Sequence, residues 1–490
     1  MVREAVELDV FDPLRWGLPV EAVDDLGNRL RCFWFRYRHC FKTQTRDGSE
    51  YAWLYMRGLL TMETKRDFVN IARRVIDADD DGQNMQQFMT DSPWSSQPIL
   101  QQVQREIAAT PGLSTGGVLI LDESAEEKAG DHSAGAGRQH NGRLGKVEMS
   151  QVGTFVAFAK GPVWTWVEGE LYLQAHWFTP EMAKARQELG IPPKRQFATK
   201  IELGWRMIQR VKANGLPFEA VLCDDLYGRS GRFRRQMDEA GIIYMADVPE
   251  DTQVYLTRPE FGVPPPQAGR RGQRPTRPRV LNGVQPVKVR QVARRSDTTF
   301  RQFRVRSIER GELEDPFAMR RAWTIRDSQL AEEWLVIRHE GGKRYSYALS
   351  NARTDTPRQY LAWLKCMRYS VERTNQDGKS ELGWDEFQAQ KYQAWEHNLA
   401  LTILASWFIA QTKHEWAQTY ARDPKLAQQF EVDVLPALSV ANVRELLQAV
   451  LPLHQLSRDE AMRLVVGKLV NRSRSTGSRL RAQRRNRRPP

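Results

Sequence analysis

Cysteine is scarce in this chain: the four residues Cys32, Cys40, Cys223 and Cys366 are scattered among 490 and form no CxxC pair. That spacing excludes a disulfide framework and a cysteine-rich zinc site, and it fits a reducing, cytoplasmic setting. Long apolar runs are missing too. The longest are strand-sized, far below the ~20 residues that cross a bilayer, so no membrane partner is expected. The opening stretch MVREAVELDVFDPLRW carries acids where an export signal would carry only apolar residues. Acids are in deficit, 60 against 73 lysines and arginines, which leaves a formal net charge of +13 and a pI near 9.6. A chain so basic points to a polyanionic partner.

Hydrophobic residues at 41% and charged residues at 27% describe a globular protein, and the length suffices for about three ordinary domains. The basic excess is concentrated at the end. Residues 471–490, NRSRSTGSRLRAQRRNRRPP, hold eight arginines and neither acid nor lysine. This stretch reads as a disordered basic tail, with Arg484 and Arg485 among its candidate phosphate contacts.

Residues 1–112 read as helical. Phe68, Ile71, Ala72 and Val75 fall at helical spacing, as do Met85, Phe88 and Met89, and again Ile99, Leu100, Val103 and Ile107. The breaker Asp91-Ser92-Pro93-Trp94 separates the last two sets. Short helices joined this way fit a helix-turn-helix reader of a DNA end, and a plain helical bundle equally.

The run Gly117-Val118-Leu119-Ile120-Leu121 has the composition of a strand buried in the middle of a sheet, and it ends in Asp122. Its neighbour Glu123 is expected on the opposite face, without a part in chemistry. A glycine-rich basic segment, 130–146, follows. It matches neither a P-loop nor a dinucleotide fingerprint, and it reads as a mobile loop offering Arg138 and Lys146 to phosphate. Strands at 152–159 and 162–173 then suggest an antiparallel meander. A helix at 201–212, a buried strand from Phe218 to Cys223, a helix at 230–239 and a strand at 242–246 complete a parallel β-α-β extension. The second buried strand also ends in acids, Asp224 and Asp225. Three strands, a helix and then β-α-β is the order of a ribonuclease-H-like fold. On that reading, residues 113–248 are the first part of an α/β core with a mixed sheet.

Residues 249–351 read as a β-rich insertion, with strands expected at 287–292, 299–308, 333–338 and 344–349. Its loop PPPQAGRRGQRPTRPR supplies Arg270, Arg271 and Arg274 as candidate phosphate contacts, and Trp323 and Trp334 are candidates for stacking on an unpaired base. The second part of the core spans 352–412. Its first helix, expected from Pro357 to Lys379, carries Arg368, Glu372 and Lys379 on one side. The segment 389–411 is apolar enough to lie in the core. A helical C-terminal region, 413–470, includes a capping box at Ser457-Arg458-Asp459-Glu460.

In the inferred fold the strands bearing Asp122 and Asp224 lie side by side, and the helix bearing Glu372 packs across them. Carboxylates gathered in one cleft repel unless a cation compensates. Hard oxygen donors of this type suit Mg²⁺ or Mn²⁺, and two such ions suit phosphodiester cleavage. Asp225 stays open as a rival to Asp224.

The ordered set Leu121-Asp122-Glu123-Ser124, the run from Gly137 to Val147, Gln151-Val152-Gly153, Cys223-Asp224-Asp225-Leu226-Tyr227-Gly228, and Val371-Glu372 through Lys379-Ser380-Glu381-Leu382-Gly383 resembles the motifs of bacterial insertion-sequence transposases. The likeness is to the DDE class with a β-rich insertion and runs over roughly residues 50–412. It implies cut-and-paste DNA transposition, with Asp122, Asp224 and Glu372 as ligands of two Mg²⁺ (or Mn²⁺) ions. It also implies transposon-end and target DNA as partners, a homodimer at synapsis, and a cytoplasmic, nucleoid-associated location. Relatives carry Tyr, Arg, Glu and Lys on the Glu helix. Arg368, Glu372 and Lys379 fit the last three, and the tyrosine position is Lys365 here. Rival readings are a metal-dependent nuclease that cuts without joining and a non-catalytic DNA-binding protein of the same fold.

Overall fold

The computed structural model of the chain describes residues 10–141, 145–265, 275–308, 311–455 and 457–486. At its centre is β1, Val118–Glu127, whose first four residues are sealed on both faces. It pairs antiparallel with Lys146–Lys160 and parallel with Ala220–Cys223. Contrary to expectation, β1 does not end at Asp122. Its antiparallel partner follows it to the pairing of Glu127 with Ser150, whereas the parallel partner stops at Cys223, opposite Leu121. Past Leu121, therefore, β1 has a neighbour on one side only. That one-sided opening begins at Asp122.

Around β1 the sheet has ten strands. In chain order the others are β2 Gly137–Asn141, β3 Lys146–Lys160, β4 Val163–Leu171, β5 Ala220–Cys223, β6 Tyr244–Val248, β7 Arg301–Ile308, β8 Gly311–Arg326, β9 Gln329–His339 and β10 Tyr345–Ser350. The order across the sheet is β7-β8-β9-β10-β6-β5-β1-β3-β2, with β4 beside the second part of β3. The meander β1-β3-β4 is antiparallel and the β5-β6 pair parallel, as the ribonuclease-H-like reading requires. The glycine-rich segment read as a mobile loop contains β2, held on β3 from Gly137–Ser150 to Asn141–Lys146.

The insertion continues this same sheet, because β10 pairs with β6. A second, smaller hydrophobic cluster around Val289, Val292, Leu335 and Leu349 supports it. Two details depart from the expected pattern. The segment read as a strand at 287–292 turns after two residues into the helix Val289–Ala293, whose Val289, Val292 and Ala293 bury one helical face. The 16-residue β8 was not foreseen, since its acids, arginines and Pro316 mask any alternation. Proline is tolerated there because β9 pairs only from Phe317 onward, leaving Pro316 with β7 alone.

Helices cover the sheet. The N-terminal ones include α1 Leu26–Tyr37, α2 Ser49–Thr61, α3 Phe68–Val75, α4 Gln83–Thr90 and α5 Gln97–Ala109. They share one hydrophobic core with the sheet and with a 28-residue helix, Tyr392–Thr419, that is buried on nearly every side. The turn after α4 is part of that core. Trp94 stacks on His397 with ring centroids 3.6 Å apart, and both imidazole nitrogens lie 2.9 Å from backbone carbonyls of Met89 and Trp94. Burial pushes His397 down to about 4, against the two carbonyls, which favour its charged form.

Between β5 and β6 lie a single helical turn, Asp225–Gly228, and the helix Gly231–Glu239, while α6, Lys200–Ala213, precedes β5. The Glu372 helix is not continuous. It comprises α7 Arg358–Met367 and α8 Tyr369–Gln376, with Arg368 at the junction, followed by a π-helical turn Asp377–Glu381. The wide turn forms where the helix meets β4: Trp164 Nε1 donates to Asp377 at 2.8 Å, and a Cβ on Gly378 would stand 2.5 Å from the Trp166 ring. Near the C-terminus, the Ser457–Glu460 capping box opens a helix Arg458–Asn486. The tail expected to be disordered is therefore helical as far as Asn486, in keeping with its arginine, leucine, alanine and glutamine content.

Candidate metal and nucleic-acid site

A cleft of about 940 Å³ opens where β1 loses its neighbour, and Asp122, Asp224, Glu372, Arg368 and Lys379 all line it. Asp122 comes from the middle of β1. Asp224 follows the last residue of β5 and caps the helical turn after it, its Oδ1 accepting from the Leu226 amide at 3.1 Å and the Tyr227 amide at 3.4 Å. The turn sits hard against β6. A Cβ on Gly228 would fall 1.8 Å from the Asp247 carbonyl oxygen, so only glycine permits this approach. Asp225 also borders the cleft, but its carboxylate pairs with Arg229 at 3.0 Å.

The two aspartates repel one another in poorly solvated surroundings. Burial, and then the charge of Asp224, push Asp122 up to about 7. Asp224 rises to about 6, through burial and then the charge of Glu123. Arg368 opposes both shifts. Its guanidinium is held 3.3 Å from Asp247 and 3.0 Å from Glu372. Burial works against its charge, yet Asp247, Asp122, Glu372 and Asp224 together raise it above its ordinary value. Glu372 is half-exposed and turned toward Arg368. The described residues contain no compact group of three or more Asp, Glu, His or Cys side chains able to hold a metal.

Asp122 and Asp224 nonetheless fit a hard divalent cation, being buried oxygen donors whose negative charge the surrounding protein leaves undercompensated. Glu372 joins them only by leaving Arg368. Lys379 is committed as well, its Nζ donating to the Ala125 carbonyl at 2.8 Å. The departure at Lys365 has a structural partner: its ammonium, almost wholly buried, lies 2.8 Å from Asp247.

Three residues at or beside the cleft went unnamed in the sequence, and a fourth was set aside. Asn375 takes a hydrogen bond from Trp166 Nε1 at 3.0 Å and gives one to Asp122 Oδ2 at 3.1 Å, which fixes that carboxylate. Asp247 anchors both Lys365 and Arg368. Asp385 borders the cleft. Glu123, expected on the far face, lines the cleft too and pairs with Lys200 at 2.9 Å. The open edge of β1 accounts for this, since beyond Leu121 no neighbouring strand separates the two faces on that side.

Other candidates lie away from the cleft. Arg138 and Lys146 are exposed on the β2-β3 edge, Lys146 paired with Glu148 at 3.4 Å. Trp334 is a packing residue, 6% exposed, donating to the Arg353 carbonyl at 3.0 Å beneath the Arg321 guanidinium. This burial corrects its assignment to base stacking. Trp323 is half-buried and exchanges backbone hydrogen bonds with Tyr255. Arg270, Arg271 and Arg274 lie outside the described residues, as do the side chains of Arg484 and Arg485. Among the described residues no helix is long and apolar enough to cross a membrane.

Comparison with known proteins agrees with this geometry. The family described as DDE superfamily endonuclease matches residues 36–312, more than half of the chain, a span that includes Asp122 and Asp224 and stops short of Glu372. A probable transposase for insertion sequence element IS701 from Microchaete diplosiphon is 28% identical over 170 residues. That similarity covers 34% of this chain and 41% of the relative.

Proposed function

Because the chain belongs to the DDE superfamily of endonucleases, we propose that it is a transposase: it binds the terminal inverted repeats of its element, cuts at the ends, and joins the 3′ ends to target DNA. The observation that carries this reading is the pair Asp122 and Asp224, brought together by neighbouring parallel strands and bordered in one cleft by Glu372, Arg368 and Lys379. Two Mg²⁺ ions, or Mn²⁺, would be held by Asp122, Asp224 and Glu372. Bound there, they would activate the attacking oxygen and stabilise the departing one.

The chain's own residues account for the rest. Asn375 orients Asp122 and is itself held by Trp166. Arg368, tethered by Asp247, offers its charge to a phosphate in the cleft once Glu372 turns away. Lys379 ties the π-helical turn to β1 and so keeps the Glu372 helix against the Asp122 strand. Joining two ends requires two active sites, and the proposal therefore includes a homodimer on DNA.

The test is strand transfer with pre-cleaved element ends, a target plasmid and Mg²⁺. Joined product supports a transposase. Cleavage of intact ends without any joined product leaves a nuclease, and neither reaction with end binding intact leaves a DNA-binding protein of the same fold.

A further inference from the structure

A second basic surface lies on the insertion, outside the catalytic cleft. A groove of about 310 Å³ is formed where the edge strand β7 meets the start of α7, lined by Thr298, Thr299, Arg301, Arg320, Arg358 and Asp297. Its floor is apolar, from Ala318, Met319 and Ile337. The single acid is already engaged, Asp297 pairing with Arg295 at 2.7 Å and with Arg320 at 3.6 Å. The side chains of Arg301 and Arg358 are exposed and have no hydrogen bond or ion pair among the described residues. By contrast, the neighbouring Arg304 is paired with Glu312, and Arg306 lies over the Tyr369 ring at 4.4 Å. A contact from Gln359 to the Arg304 carbonyl fixes the start of α7 to β7, which holds Arg358 beside the strand that carries Arg301.

This groove and the cleft are joined by one rigid element. Helix α7 begins at Arg358 and ends next to Arg368, and ten residues of helix span ~15 Å. Duplex DNA rises 3.4 Å per base pair, so that distance corresponds to roughly four base pairs. Two exposed guanidiniums with no protein partner, lining one groove a helix length from the cleft, are complementary to a phosphate backbone. We propose that Arg301 and Arg358, supported by Arg320, grip the backbone of the duplex that leaves the catalytic cleft, about four base pairs from the bond being cut. The proposal rests on the transposase reading for its cleavage point and on the groove itself for its ligand.

The full-length double variant Arg301→Gln/Arg358→Gln tests it. Binding is measured by fluorescence anisotropy as a function of salt, on one duplex extending ten base pairs past the cleavage point and one ending two base pairs past it. Loss of two phosphate contacts should flatten the log–log salt slope by about 1.8 on the long duplex. The short duplex should show no change, and Arg301→Lys/Arg358→Lys should retain the wild-type slope. Both arginines are exposed, so thermal unfolding should be unchanged and serves as the folding control. An unchanged slope on the long duplex overturns the surface even if cleavage and joining are intact. A flattened slope in a protein that neither cuts nor joins upholds the surface and sinks the transposase reading. Failure of the wild type to bind either duplex overturns both.

Discussion

Replacing Asp122 by asparagine should stabilise the metal-free protein at alkaline pH. The Asp122 carboxyl stands at about 7 where its ordinary value is 3.8, because burial and the Asp224 charge disfavour its ionised form. A difference of roughly 3 in pKa corresponds to ~4 kcal/mol at about 1.4 kcal/mol each. Asp122 borders an open cleft, so screening by water reduces this to about 2 kcal/mol. The folded protein keeps this proton to higher pH than the unfolded chain does. Its stabilising contribution is complete below about pH 4 and is lost as pH rises through about 7. Asparagine preserves an acceptor for Asn375 and cannot ionise. Urea unfolding in EDTA should find Asp122→Asn more stable than wild type by about 2 kcal/mol at pH 8, with the difference vanishing near pH 4. Saturating Mg²⁺ should reverse the order, since an ion bound only by the folded wild type stabilises it. A variant less stable than wild type at pH 8 in EDTA, or a gain that persists at pH 4, refutes the reasoning.

Other perturbations follow from the same contacts. Asp247→Ala leaves the almost wholly buried Lys365 ammonium without its partner and should cost about 3 kcal/mol in unfolding measurements, with Asp247→Glu recovering most of it. Gly228→Ala drives a methyl into the Asp247 carbonyl and should cost ~1–3 kcal/mol, lowering cleavage as well because the turn capped by Asp224 must shift. Deleting residues 471–490 should flatten the salt dependence of DNA binding, by at most about 7 in log–log slope if all eight arginines meet phosphates. An unchanged slope would remove the tail from the DNA interface.

The parts of the fold legible in the sequence are those set by local pattern. The apolar runs of β1 and β5, the helical spacing of Ile99 through Ile107 and the capping box at Ser457 all lie where the residues put them. What escaped depends on contacts distant in sequence. The extension of β1 beyond Asp122 is dictated by β3, and nothing within β1 announces it. The π-helical turn arises where the helix meets Trp164 and Trp166, some 200 residues earlier in the chain, and the break at Arg368 falls where its guanidinium meets Asp247. Asp247 reads as one acid in a short strand until Lys365 and Arg368 are brought to it. Glu123 alternates with Asp122 in an unbroken register on β3, and it lines the cleft because β1 has lost its other neighbour there.

The central claim is that Asp122, Asp224 and Glu372 hold divalent cations on DNA. Counting Mn²⁺ bound per chain by electron paramagnetic resonance, with element-end DNA present, tests it most directly. The account predicts two bound ions in the wild type and their loss in Asp122→Ala/Asp224→Ala while DNA binding persists. Equal Mn²⁺ stoichiometry in the wild type and the double variant would contradict it.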